Sequence, residues 1–116
     1  MQERETPMAP TGQQARGYIT VTFLAHHDEE TNRFVSRCVE LSISSSGKDL
    51  DQAFDRIAEA TCLYVSTLEE VGERERVFAE QGISITPGKP PDNPLNVRVR
   101  SEEHAAARNL PVRLDA

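Results

Sequence analysis

The chain has 116 residues, 37% of them apolar, and a formal net charge of −6, which suffices for one modest hydrophobic core and hardly two. No apolar run approaches the length of a bilayer span and the polar N-terminus lacks an apolar signal core, so neither a membrane nor an export role is expected. Residues 17–85 hold 13 acidic and 6 basic side chains; such a block repels phosphate backbones, which argues against general nucleic-acid binding and for a basic protein partner.

Residues 1–17 mix Gln, Glu, Arg, Pro and Gly without apolar periodicity, the composition of a disordered arm. Ile19, Val21 and Phe23 then alternate with Thr20 and Thr22, the period of two that marks a half-buried strand. Residues 26–32 are polar throughout and predict a hairpin loop. Residues 33–39 return as a second strand, with Phe34, Ser36 and Cys38 on one face and Val35, Arg37 and Val39 on the other, and residues 41–45 give a short third strand. Asp49 is placed to cap a helix, and Gln52, three residues on, completes a capping-box-like pair. Leu50, Phe54, Ile57, Thr61, Tyr64 and Leu68 follow the spacing of an apolar helical stripe to about Glu70, where Gly72 breaks it. Residues 73–81 predict a shorter helix capped by Gly82, and Ile83-Ser84-Ile85 a last strand. Pro87, Pro90, Pro91 and Pro94, with Gly88 among them, mark a linker. The order β-β-β-α-α-β defines a small α+β fold: a mainly antiparallel sheet of three to four strands packed on one long helix plus a short one. The domain is expected over 18–86, followed by a Pro-rich linker and tail over 87–116.

Few residues point to chemistry. His26-His27-Asp28-Glu29-Glu30 gathers metal-ligating types, but adjacent histidines on extended backbone point apart and no second cluster completes a tetrahedral set. Cys38 and Cys62 lack C-x-x-C spacing and read as reduced cytoplasmic thiols, Cys38 as part of a core. Ser44-Ser45-Ser46-Gly47-Lys48 lacks the first glycine of a phosphate loop, and Asp49 stands where Ser or Thr would bind the metal ion. A two-metal nuclease needs several carboxylates converging from strands. The first strand carries none, and Glu40 is the only acid over residues 33–45. No catalytic residue, cofactor or metal is therefore expected, and the chain reads as a binding module.

Two surfaces are candidates for binding. Asp51, Asp55 and Glu59 recur every four residues and form one acidic stripe on the long helix, to which Asp28, Glu29 and Glu30 add charge at the hairpin tip. A basic partner would be steered toward them, although a charged outer face is also the default for a surface helix. In the tail, Asn96, Arg98 and Arg100 share one face of an alternating run, and Ser101 with Glu102 and Glu103 predicts a helix start reaching Asn109. A ribbon followed by a helix could place those three side chains in a DNA groove. Pro111 leaves no second helix, so a tail or an edge strand pairing with a neighbour is the simpler expectation.

The block over 18–85 resembles the HicB-like family of toxin–antitoxin antitoxins. The resemblance lies in Tyr18-Ile19-Thr20-Val21-Thr22-Phe23, in Arg33-Phe34-Val35, and in Cys38-Val39-Glu40-Leu41, where the family usually has Cys-Pro-Glu-Leu. It continues in Gly47-Lys48-Asp49-Leu50-Asp51-Gln52-Ala53, where the family usually has Gly-Asp-Thr-Leu-Glu-Glu-Ala, then in Ala60, Leu63 and Tyr64, and over residues 77–85. It implies a partial RNase H-like sheet with a packed helix, in a prokaryotic cytoplasm. It also implies neutralisation of a small basic HicA-type ribonuclease toxin by covering its RNA-binding and active surface. A typical two-domain member also carries a DNA-binding helix-turn-helix or ribbon-helix-helix, which is incomplete here. A short open sheet leaves an edge to cover, so a homo-oligomer is expected. The alternatives are an orphan HicB-like domain that self-associates or binds another protein, and a DNA-binding regulator using the truncated tail.

Overall fold

The computed structural model describes residues 16–93 and 103–114 and the backbone of 97–100. Eight elements follow in chain order: β1 (Arg16–Asp28), β2 (Arg33–Cys38), β3 (Ile43–Gly47), α1 (Leu50–Glu70), α2 (Arg74–Gln81), β4 (Thr86–Pro87), β5 (Val97–Arg100) and β6 (Glu103–Arg113). All strands join one antiparallel sheet in the order β3-β2-β1-β6-β5, and the two-residue β4 pairs with β1 at Gly17 and Tyr18. The fold is α+β, with one long and one short helix, as the hydrophobic periodicity predicts.

The inward side chains of β1, Ile19, Val21, Phe23 and Ala25, are fully buried and form one core with Cys38, Leu41, Phe54, Ile57, Val65, Leu68 and Phe78. Burial of each large apolar side chain contributes about 1.5–3 kcal/mol. Helix α1 starts where the polar spacing predicts: the Asp49 carboxylate accepts the Gln52 N–H at 2.8 Å, and the Gln52 side chain accepts the Lys48 N–H at 2.9 Å. It ends at a Schellman turn, with the Glu73 N–H donated to the Leu68 carbonyl at 2.9 Å and Gly72 at φ +75°. That left-handed backbone favours glycine at the turn into α2.

The Gly47-to-Ala53 motif has a steric cause. The last residue of β3 lies so close to the first turn of α1 that a Cβ on Gly47 would stand 2.5 Å from the Ala53 nitrogen. Glycine at 47 and a small residue at 53 let the chain turn from sheet to helix without a longer loop.

Several expectations are corrected. The first strand begins at Arg16, so Arg16 and Gly17 belong to the sheet; residues 1–15 of the expected arm lie outside the described residues. His26, His27 and Asp28 are strand residues, and the turn is confined to 29–32, with Asn32 at φ +55°. The third strand is displaced to Ile43–Gly47. Val65, not Tyr64, carries the apolar stripe onward: eleven residues after Phe54 and four after Thr61 it falls on their line and is buried, while Tyr64 is turned to the edge of the stripe and exposed. Ile83 and Ile85 form no strand; they pack half-buried against the core.

The largest correction concerns the tail. Residues 103–113 form a strand, not the start of a helix, and β6 pairs with β1 from Arg16↔Arg113 through His26↔Glu103. The expected linker is built in as well. The Gly88 N–H bonds the Arg16 carbonyl at 3.0 Å, while Pro91 and Asn93 accept hydrogen bonds from Asn109. A domain ending at residue 86 would lose Ala106 and Leu110 from its core. The ribbon-helix-helix expectation fails with it, because Val97–Arg100 pairs with β6 of its own chain. Asn96 and the side chains of Arg98 and Arg100 lie outside the described residues.

Replacing Gly47 by Ala is expected to cost about 1–3 kcal/mol of stability through overpacking. An unchanged urea midpoint would contradict the close approach of β3 and α1.

Candidate protein-binding face

Helix α1 is 21 residues long, about 31 Å at 1.5 Å per residue, and its outer side is open to solvent. Asp51, Asp55 and Glu59 are all exposed there, so the expected acidic stripe exists as a continuous row one helical turn apart. Asp51 lies in the first turn, where the helix dipole favours an anion. The ion pairs of the described residues lie elsewhere, at Arg74 and Arg76, which leaves the three carboxylates unneutralised.

The same four-residue spacing carries the row beyond the acids. Leu63, Thr67 and Val71 follow Glu59, with Leu63 70% and Val71 62% exposed. Tyr64 and Cys62, also exposed, flank Leu63. Sequence reading placed Leu63 and Tyr64 in the helix without giving them a surface role. The available signal is that Leu63 stands four residues after Glu59, on the polar side of the stripe, where an apolar residue has no core to enter. The row thus runs from three acids to the exposed Leu63 and Val71, with Arg56, Thr67 and Glu70 also exposed on the helix.

Strand register decides where the second acidic group lies. Asp28 opposes Arg33, and Phe34 opposes Gly47, so the 29–32 turn and the start of α1 share one end of the sheet. Exposed Glu29 and Glu30 therefore add to Asp49 and Asp51 at that end. Asp28 is half-buried and accepts the Thr31 hydroxyl at 2.8 Å, which ties it to the turn rather than to a partner. His26 lies on the exposed sheet face, and His27 on the other, against Phe34 at a ring separation of 5.2 Å. The adjacent histidines point apart, and among the described residues no group of three or more His, Cys, Asp or Glu could hold a metal ion.

The residues most tightly fixed are structural. Glu40 accepts the Thr22 N–H at 2.8 Å and the Thr22 hydroxyl at 3.0 Å, while the Val39 N–H bonds the Thr22 carbonyl at 2.9 Å. The Cys38-Val39-Glu40-Leu41 segment thereby holds the edge of β1 where β2 leaves it. Burial pushes the Cys38 thiol above its ordinary value of 9.0, outweighing hydrogen bonds that act in the opposite sense.

Arg74 is the residue that sequence reading missed, hidden in the charged run from Glu69 to Arg76. Its side chain is fully buried and forks onto both Glu75 oxygens at 3.1 Å. It also donates to Glu69 at 2.7 Å and to the Arg113 carbonyl at 2.8 Å, and stacks 5.8 Å from the Phe78 ring. Burial lowers its pKa, but the two carboxylates prevail and the net shift is upward. A permanently charged fork thus joins the α1–α2 turn to the end of β6. By contrast, the Glu73–Arg76–Glu80 pairs on α2 are exposed and contribute little.

No family model matches the chain, and neither a curated protein nor a solved structure matches it. No helix among the described residues is long and apolar enough to cross a membrane.

Replacing Arg74 by Met leaves Glu69, Glu75 and the carbonyls of Arg113 and Leu114 without their donor, with an expected loss of about 3 kcal/mol or more in urea unfolding. A Lys replacement should recover only part of it, because an ammonium cannot make the fork. Thiol labelling of the native protein should modify exposed Cys62 and spare Cys38 until unfolding. A raised folded-state pKa means that the Cys38 contribution is fully present below pH 9 and is lost as pH rises through the higher folded value. Stability should therefore fall on alkaline titration above pH 9, and less so in a Cys38→Ala variant.

Proposed function

We propose that the chain is a HicB-like antitoxin-type module that neutralises a small basic HicA-type ribonuclease toxin in a prokaryotic cytoplasm, by stoichiometric binding and not by catalysis. One observation carries the reading: the outer face of α1 presents Asp51, Asp55 and Glu59 in line with the exposed Leu63. Unpaired anions beside an exposed apolar side chain suit a partner whose own surface is basic, because charge steers the encounter and apolar burial slows dissociation. A surface evolved to grip RNA has that basic character. Glu29 and Glu30, at the same end, extend the anionic field. Order and spacing of the motifs over 18–85 support the family assignment. The carboxylate of Glu40, in the turn after β2, is engaged with Thr22, which favours a non-catalytic role.

The test is affinity capture of the tagged full chain from its native cytoplasm. A small basic protein should be recovered in near-equal amount, cleave RNA, and lose that activity at one equivalent of the chain. Reversing Asp51, Asp55 and Glu59 to Lys should weaken its capture by about tenfold or more. Capture unaffected by the reversal, or recovery of the bait alone, would sink the proposal.

A further inference from the structure

The sheet has a second face, opposite the helices, and it differs from the acidic one. Leu24, Val35, Ala105 and Ala107 lie on it half-buried, and none belongs to the core or packs against it. Two charges frame this apolar centre, Arg37 on β2 and Glu103 on β6, on opposite sides of β1. In register, Arg37 opposes Leu24 and Leu24 opposes Ala105, while Glu103 stands one position farther along, two residues before Ala105. Neither charge has an ion-pair partner among the described residues.

We propose that this face is the interface of a homodimer in which two copies pack sheet on sheet about a two-fold axis running along β1 near Leu24. Rotation about that axis preserves position along the strand and exchanges the two sides of β1. Arg37 of one copy therefore comes to lie over Ala105 and beside Glu103 of the other, and the reciprocal pair forms at the same time. Leu24 meets its own equivalent on the axis, with Val35, Ala105 and Ala107 around it. An isologous contact demands this self-complementarity of charge, and a sheet spacing of about 10 Å leaves room for an arginine to reach across. The stripe of Asp51, Asp55 and Glu59 lies on the far side of each copy, away from the contact, so the dimer keeps α1 free. The inference stands independently of the antitoxin reading.

Sedimentation equilibrium on the full chain tests it. The wild type should weigh twice its 12.9 kDa chain mass. Arg37→Glu and Glu103→Arg should each raise the dimer Kd by about tenfold or more, because each places like charges together. The double exchange should restore it to within about threefold, and the two single variants mixed should form a heterodimer. Leu24→Asp should give a monomer with an unchanged circular dichroism spectrum. A monomeric wild type would overturn the proposal, as would a dimer insensitive to Arg37→Glu or a double exchange that fails to restore association.

Discussion

The constraint on which this fold depends is the double pairing of β1. One edge is hydrogen-bonded to β6 along nearly its whole length, and the other to β2 and then β4. Between β4 and β2 that second edge is held at Thr22 by the Val39 N–H and the Glu40 carboxylate, and the strand so fixed turns Ile19, Val21, Phe23 and Ala25 into the core. Because β1 and β6 come from opposite ends of the described chain, the core is complete only when its last strand returns. The Arg74 fork, reaching the Arg113 carbonyl, holds that return in place. Such long-range closure costs loop entropy before any contact offsets it, so the protein belongs with slower, high-contact-order folds.

The two faces of the sheet then divide the surface by chemistry. Helices cover one face, and α1 turns an anionic and apolar row outward. The other face is nearly neutral and stays free of the helices. A protein with net charge −6 can bring two copies together only where its acids are sparse, since like charges at a contact cost more than the apolar burial returns. The same acids favour a basic partner on the helix side. One charge distribution would thus separate the two proposed contacts.

The motifs that carry the family resemblance are largely devices for keeping the fold. Glu40 holds Thr22, Cys38 and Leu41 fill the core, Gly47 admits the first turn of α1 beside Ala53, and Asp49 caps it. A motif of this kind speaks for the architecture and says little about a partner, whose contacts would fall on exposed positions such as Asp55, Glu59 and Leu63.

By itself the sequence determined what local rules govern. Period-two alternation placed β1 and β2, the polar pair at Asp49 and Gln52 started α1, Gly72 and Gly82 ended the helices, and four-residue spacing set Asp51, Asp55 and Glu59 on one line. Tertiary structure decided what depends on distant pairing. The run from Glu103 to Arg113, with its three successive alanines, has the look of a helix start, yet it is a strand because the open edge of β1 offers hydrogen bonds and a core position for Ala106 and Leu110. Arg74 became a buried clamp because the α1–α2 turn meets the end of β6. Local propensity cannot register either partner, since each lies dozens of residues away in the chain and only folding brings it near.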